Sequence, residues 1–266
     1  MEQYTVECRH LQLICCLNGV GRSKIPEGKP LELLDTLVHL LQLSSQNIND
    51  VCIAGSSSLH AYCKLLNGEE EDWVPKDMDV FVANLSSDIF LQRHVVSLIA
   101  RASECGIEFK VVSVFDGVAS EWHGVQVSPE NLMTYAEDNE SLVDMYPETV
   151  ACDMIVDIDI SHVSSKVQTL SLICNSGAAN TAEIVNNFDI NICSIRATVD
   201  VCGSVWSWNF FTLSSVEKDV KERRMEVIYR IMYPGDEGTS QATVNRAKKY
   251  VDRGFSVRKS FRVCKY

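Results

Sequence analysis

The sequence predicts an α/β or α+β fold built on one continuous core. Two observations carry that expectation. Short apolar runs such as "MDVFVA" (78–83), "EFKVVSVF" (108–115) and "MIVDIDI" (154–160) have the length and the Val, Ile and Phe content of strands. Other segments carry apolar residues at helical spacing, as in "LELLDTLVHLLQL" (31–43). At 266 residues and 46% apolar content, the chain can bury one substantial core, or a core domain with a small appended one.

In chain order, residues 31–43 read as a helix and 50–54 as a short strand. A Gly-Ser turn follows, then a helix over 57–67 with Ser56 as its N-cap. "GEEEDWVPK" is a loop, and 78–83 is the next strand. Residues 88–104 read as a helix capped by Ser86 or Ser87, and 108–115 as a strand. Residues 116–150 are mixed. The runs 154–160 and 166–174, joined by "SHVSS", read as a hairpin. A short helix is expected over 181–188 and a strand over 189–199. Trp206 and Trp208 alternate with small or polar residues, which suits a strand or turn. Val216, Val220, Val227 and Ile231 have helical spacing over 214–232. A second late helix spans 240–253, with Gly254 placed as its C-cap.

No stretch approaches the length of a membrane span, and no membrane partner is expected. The opening "MEQYTVECRH" lacks the basic-then-apolar pattern of a signal peptide. The eleven cysteines form no C-x-x-C pair, and Cys52, Cys63, Cys174 and Cys193 lie in apolar stretches. They read as small buried hydrophobes in a reducing, cytoplasmic or nuclear, compartment. Cys8, His10, Cys15 and Cys16 come nearest to a metal cluster, but their spacing matches no common zinc site.

The net charge of −12 argues against a general nucleic-acid coat. Its distribution is uneven. Residues 246–266 hold eight Lys/Arg and one acid, a balance of +7, which leaves −19 on the other 245 residues. A basic tail on an acidic body suits a local anionic partner such as a phosphate or an RNA backbone, or a solvated helix face.

The chemistry concentrates in "IAGSS" (53–57) and "KDMDVFV" (76–82). Two carboxylates at i and i+2 on a strand, Asp77 and Asp79, share a face and repel each other. A hard divalent cation, Mg²⁺ or Mn²⁺, relieves that repulsion, and Mg²⁺ is held by one or two carboxylates plus substrate phosphates. Gly55 lets the backbone approach closely, and Ser56 and Ser57 offer hydroxyls and N–H groups at a helix N-terminus, which suits a phosphate.

Apolar–Gly–Ser, a helix, then Asp-apolar-Asp-apolar resembles the signature of the polymerase-beta-like nucleotidyltransferase superfamily. "QTLSLIC", "IVNNFDINICSI" and the final Arg246, Lys249, Tyr250, Arg253, Gly254 and Phe255 are similar to an uncharacterised viral and fungal branch of it. The resemblance spans about residues 50–257. The insert "GEEEDWVPK" makes the interval from Ser56 to Asp77 longer than is common there, and Ala54 stands where many members carry a second Gly.

The resemblance implies a mixed β-sheet flanked by helices with a C-terminal helical and basic segment. It divides the chain into an N-terminal helical segment (1–49), a catalytic core (50–200) and the C-terminal segment (201–266). It implies transfer of NMP from an NTP to a hydroxyl of RNA, protein or a small molecule, with a catalytically inactive nucleotide- or RNA-binding module as the alternative. The metal and catalytic residues would be Asp77, Asp79 and a third acid from a later strand. Asp189 is the preferred third acid, and Asp157 and Asp159 are rivals. Gly55, Ser56 and Ser57 would meet the nucleotide phosphates, with Lys248 or Lys249 reaching them from the late helix. Trp73 is expected to close the insert against the core or to stack on a base, and His60 to pack or to lie exposed.

Overall fold

The computed structural model describes residues 2–9, 49–67, 71–104, 109–116, 121–123, 152–161, 167–202, 205–231 and 241–263. The helix expected over 31–43, the residues His10, Cys15 and Cys16, and most of the stretch 116–150 lie outside them.

Nine strands form one mixed sheet in the order β1-β9-β8-β2-β3-β7-β6-β4-β5. Their ranges are β1 Glu2–Arg9, β2 Val51–Ala54, β3 Asp77–Ala83, β4 Lys110–Asp116, β5 Glu121–His123, β6 Met154–Asp159, β7 Thr169–Asn175, β8 Arg196–Cys202 and β9 Val205–Thr212. β3 and β7 run parallel, while β2 pairs antiparallel with both β3 and β8. The antiparallel β6–β7 pair matches the expected hairpin. Helix α1 (Ser56–Asn67) links β2 to β3. The helical stretch after β3 is α2 (Ser87–Phe90), a π-helical segment (Leu91–Val96) and α3 (Ser97–Glu104). α4 (Thr181–Asn186) and a 3₁₀ turn (Asn191–Ser194) lead into β8.

Strand alternation sorts side chains to the two faces. The larger core takes Ile53, Met78, Val80, Val82, Val156, Ile158, Leu170 and Leu172 on one face, packed with Leu59 and Tyr62 of α1 and with Phe90, Leu91 and Leu98. A smaller cluster of Cys52, Ala54, Phe81, Ala83, Ile184 and Val185 covers part of the other face beneath α4. Asp77 and Asp79 have the parity of Phe81 and Ala83, so they lie on the thinly covered face.

Three expectations need correction. The N-terminal segment contributes β1, which pairs with β9 along its whole length; Tyr4, Val6 and Cys8 alternate with Thr5, Glu7 and Arg9, a strand period. The strand expected from Asp189 begins at Arg196, because a 3₁₀ turn intervenes. The helix expected over 214–232 stops as α5 (Ser214–Lys221), and Arg224–Ile231 is strand β10. Val216 and Val220 are buried on α5. The chain reverses at Arg223, whose φ is 51°, and Met225, Val227, Tyr229 and Ile231 then alternate as in a strand.

The C-terminal segment is therefore not purely helical. β10 pairs in parallel with β11 (Ser256–Val263), and α6 (Gln241–Val251) is the helix between them in the chain. Gly254, at φ +85°, follows α6 and reverses the chain toward β11. Among the described residues, no helix is long and apolar enough to cross a membrane.

Candidate functional site

The site is built from the β2–α1 turn upward. Gly55 has φ +77°, a conformation L side chains rarely adopt. A Cβ at this position would lie 2.7 Å from Oδ2 of Asp79. The turn is held from three sides. Gly55 N–H donates to the Cys193 carbonyl at 3.0 Å. Ser58 Oγ donates to the carbonyls of Gly55 at 3.2 Å and Ile195 at 2.7 Å. Leu59 N–H donates to the Gly55 carbonyl at 3.2 Å, which starts the helix. The glycine thus puts the start of α1 directly against the Asp79 carboxylate.

Ser56 and Ser57 are buried in the first turn of α1. The Ser56 hydroxyl donates to Oδ1 of Asp77 at 3.1 Å, so it orients an acid of the pair as well as lying beside the turn. Asp77 is 42% exposed on its side chain, and the Lys249 ammonium stands 3.8 Å from the same Oδ1. The structure therefore gathers Gly55, Ser56, Asp77, Asp79 and Lys249 at one place. Lys248, one residue away, is exposed and does not pair with these acids.

Registers extend the acidic face across the sheet. Asp79 lies opposite Ser171, which lies opposite Asp157, which lies opposite Ser113. The neighbouring row is Asp77, Thr169, Asp159 and Lys110. Residues paired directly across strands share a face, so Asp157 and Asp159 look out from the same face as the pair. They stand two strands away, about 9–10 Å in backbone spacing. Asp157 accepts from Ser171 Oγ at 2.6 Å and from Ser113 Oγ at 2.7 Å, one hydroxyl on each oxygen. Asp159 Oδ1 accepts from the Ser161 N–H at 2.8 Å.

Asp189 is engaged by α6. It precedes the 3₁₀ turn, accepts from Thr243 Oγ1 at 2.5 Å and pairs with Arg246. Its carboxylate ties α6 to the body. Among the described residues, no three or more His, Cys, Asp or Glu side chains are grouped to hold a metal ion. The expected trio of Asp77, Asp79 and Asp189 is thus not assembled as a ready ligand set.

The electrostatics follow from this geometry. Burial pushes the Asp79 carboxyl up to about 7; Asp77 adds to the rise, Lys249 opposes it, and Asp157 adds again. Asp157 is a further acid whose charge reaches Asp79. The donor set suits a hard cation. It is all oxygen, it carries negative charge in excess of the one lysine, and the missing Cβ of Gly55 leaves Oδ2 of Asp79 room against the turn.

The late segment clamps this assembly. Tyr250 is buried, and Cys193 Sγ donates to its hydroxyl oxygen at 3.1 Å; Cys193 also supplies the carbonyl that holds Gly55. Burial pushes the Cys193 thiol up to about 12, so it stays a neutral donor. Arg253 lies 3.9 Å over the Trp73 ring and 5.1 Å from the Tyr250 ring. Trp73 meets buried His60 edge-on at 4.9 Å. Glu71 Oε1 accepts from Arg223 at 2.6 Å. The insert is thus closed onto the body by Trp73, as one of its two expected roles has it, and His60 packs.

Three contributors escaped the sequence reading: Arg253 as a stacking cation, and Ser113 and Ser171 as hydroxyl partners of an acid. Serine at the outward parity of an otherwise apolar strand, as in "TLSLIC", is the signal that points to Ser171. Comparison of the chain with protein-family models, with curated proteins and with solved structures finds no match.

Proposed function

We propose that the chain is a metal-dependent nucleotidyltransferase, moving NMP from an NTP to a hydroxyl acceptor with release of pyrophosphate. The observation that carries the reading is the approach of Gly55 to Asp79, which sets a helix N-terminus against a carboxylate pair. A helix N-terminus favours phosphate oxygens, and the paired acids favour a divalent cation.

In this reading Asp77 and Asp79 would hold Mg²⁺ or Mn²⁺, which would supply charge neutralisation for the triphosphate and would lower the pKa of the acceptor hydroxyl. Ser56 fixes the orientation of Asp77. The first turn of α1 orients phosphate oxygens, and Lys249 adds positive charge beside them. The acceptor hydroxyl would give up its proton to solvent, and its oxygen would bond to the α-phosphorus in line as the bond to pyrophosphate breaks. Of the rival third acids, Asp157 shares a sheet face with the pair and its charge reaches Asp79, but like Asp189 it is not grouped with them as a ready ligand set among the described residues. Asp189 then serves to seat α6. The acidic body favours transfer of one or a few nucleotides over long polymerisation, while the basic tail keeps an RNA acceptor open.

One observation favours a second reading. Both oxygens of Asp157 are already bonded to serine hydroxyls, which suits a module that binds nucleotide or RNA without catalysis. Transfer of α-labelled NTP, each base in turn, to total RNA or to the protein itself separates the two. Label that appears with wild type and disappears in Asp77→Ala/Asp79→Ala supports the enzyme. Metal-dependent NTP binding with no transfer supports the binding module. Absence of both rejects the nucleotide site.

A further inference from the structure

Lys249 occupies an unusual place. It is a partly exposed cation standing beside two acids that share a face, on a helix tied to the body at several points. α6 is anchored by buried Tyr250, by Thr243 and Arg246 on Asp189, and by the Phe255 N–H, which donates to the Tyr250 carbonyl at 3.1 Å. The Lys249 ammonium, by contrast, ends a flexible four-carbon stem, and its side chain is 41% exposed. Its 3.8 Å separation from Oδ1 of Asp77 is long for a hydrogen bond, and that oxygen already accepts from Ser56. Lys249 therefore compensates charge without being locked in place.

We propose that Lys249 is a resident counter-ion of the carboxylate pair, and that loading the site is a cation exchange in which a divalent metal displaces the ammonium from Asp77 and the incoming triphosphate takes it up. This rests on the metal-site reading above and adds a property to it. Before loading, the lysine balances part of the charge of Asp77 and Asp79, so metal alone must compete with a tethered cation. With a triphosphate present, the displaced ammonium gains phosphate oxygens as partners. Metal and nucleotide then bind with positive coupling, each removing a cost for the other.

The test measures Mn²⁺ binding by the loss of the free-ion electron paramagnetic resonance signal, with and without a non-hydrolysable NTP analogue, each reading taken relative to the same mixture without protein. It compares wild type, Lys249→Met and Lys218→Met, with thermal midpoints to verify folding. Lys218 is an exposed residue of α5 and controls for the change in net charge. Lys249→Met should bind Mn²⁺ alone about two- to five-fold more tightly than wild type, in keeping with loss of one partly exposed ion pair. Its gain in Mn²⁺ affinity on adding the analogue should be smaller than the wild-type gain, and Lys218→Met should behave as wild type. Equal Mn²⁺ affinity in wild type and Lys249→Met overturns the exchange while leaving the metal site standing. No Mn²⁺ binding in either, with or without nucleotide, removes the metal site and the exchange with it.

Discussion

The absent side chain of Gly55 and Oδ2 of Asp79 define each other: a Cβ on the glycine would sit 2.7 Å from that oxygen. Real Cβ atoms do not approach so closely, and the φ of +77° adds strain for any L residue. Gly55→Ala must therefore either displace the Asp79 carboxylate or unseat the turn from Cys193. The expected loss is about 2–4 kcal/mol, backbone strain plus steric repacking. Urea denaturation measures it, and Mn²⁺ binding should weaken in the same variant even where it remains folded. A change below about 0.5 kcal/mol with metal binding intact would show that the approach has no consequence.

How much of this was legible beforehand depended on the range of the contact. Gly55, Ser56, Asp77 and Asp79 were readable because a turn, a helix start and an i, i+2 pair are local patterns. The surroundings of Asp189 and of Asp157 were not. "NNFDINICSI" has a strand-like run after Asp189, but the 3₁₀ turn at Asn191–Ser194 and the ion pair with Arg246 arise from how α6 docks. Asp157 reaches the site only through the register of β6 on β7 and β7 on β3, which no local pattern encodes. Strand β11 was hidden for a related reason. Its "SVRKSFRV" is dense in charge, and its partner β10 lies 32 residues earlier at the Arg224–Ser256 pairing.

Asp79 should leave a mark on the pH dependence of stability. Its folded pKa of about 7 lies above the ordinary value of 3.8, so the folded state favours the protonated carboxyl. Its contribution is complete below about pH 4, erodes as pH rises, and is gone above about pH 7. The rise corresponds to about 4 kcal/mol at 1.36 kcal/mol per pH unit; water at this partly open face reduces that to about 1–3 kcal/mol. Asp79→Asn, neutral at every pH, should match wild type near pH 4 and exceed it in stability at pH 8. Millimolar Mg²⁺ should close the gap at pH 8 by stabilising the ionised wild-type pair. Parallel stability curves for the two proteins across this range would contradict the assignment.

The Trp73–Arg253 stack supplies the last prediction. The guanidinium carbon lies 3.9 Å from the ring centroid, and the same cation also faces Tyr250 at 5.1 Å. Trp73 belongs to the insert between α1 and β3, and Arg253 to the turn after α6, so the stack joins two segments that flank Asp77. Burial lowers the pKa of Arg253 from its ordinary value, with Tyr250 and Asp77 opposing that shift, and a guanidinium stays charged throughout the accessible range. A partly desolvated cation–π pair of this kind contributes about 1–2 kcal/mol. In a double-mutant cycle of Trp73→Leu and Arg253→Met, the coupling energy should be of that size, read from chemical denaturation. Leucine retains much of the apolar burial, so the coupling isolates the stack from simple loss of packing. Strict additivity of Trp73→Leu and Arg253→Met would mean that the stack contributes packing alone, and that the insert is held by Glu71 and the apolar body.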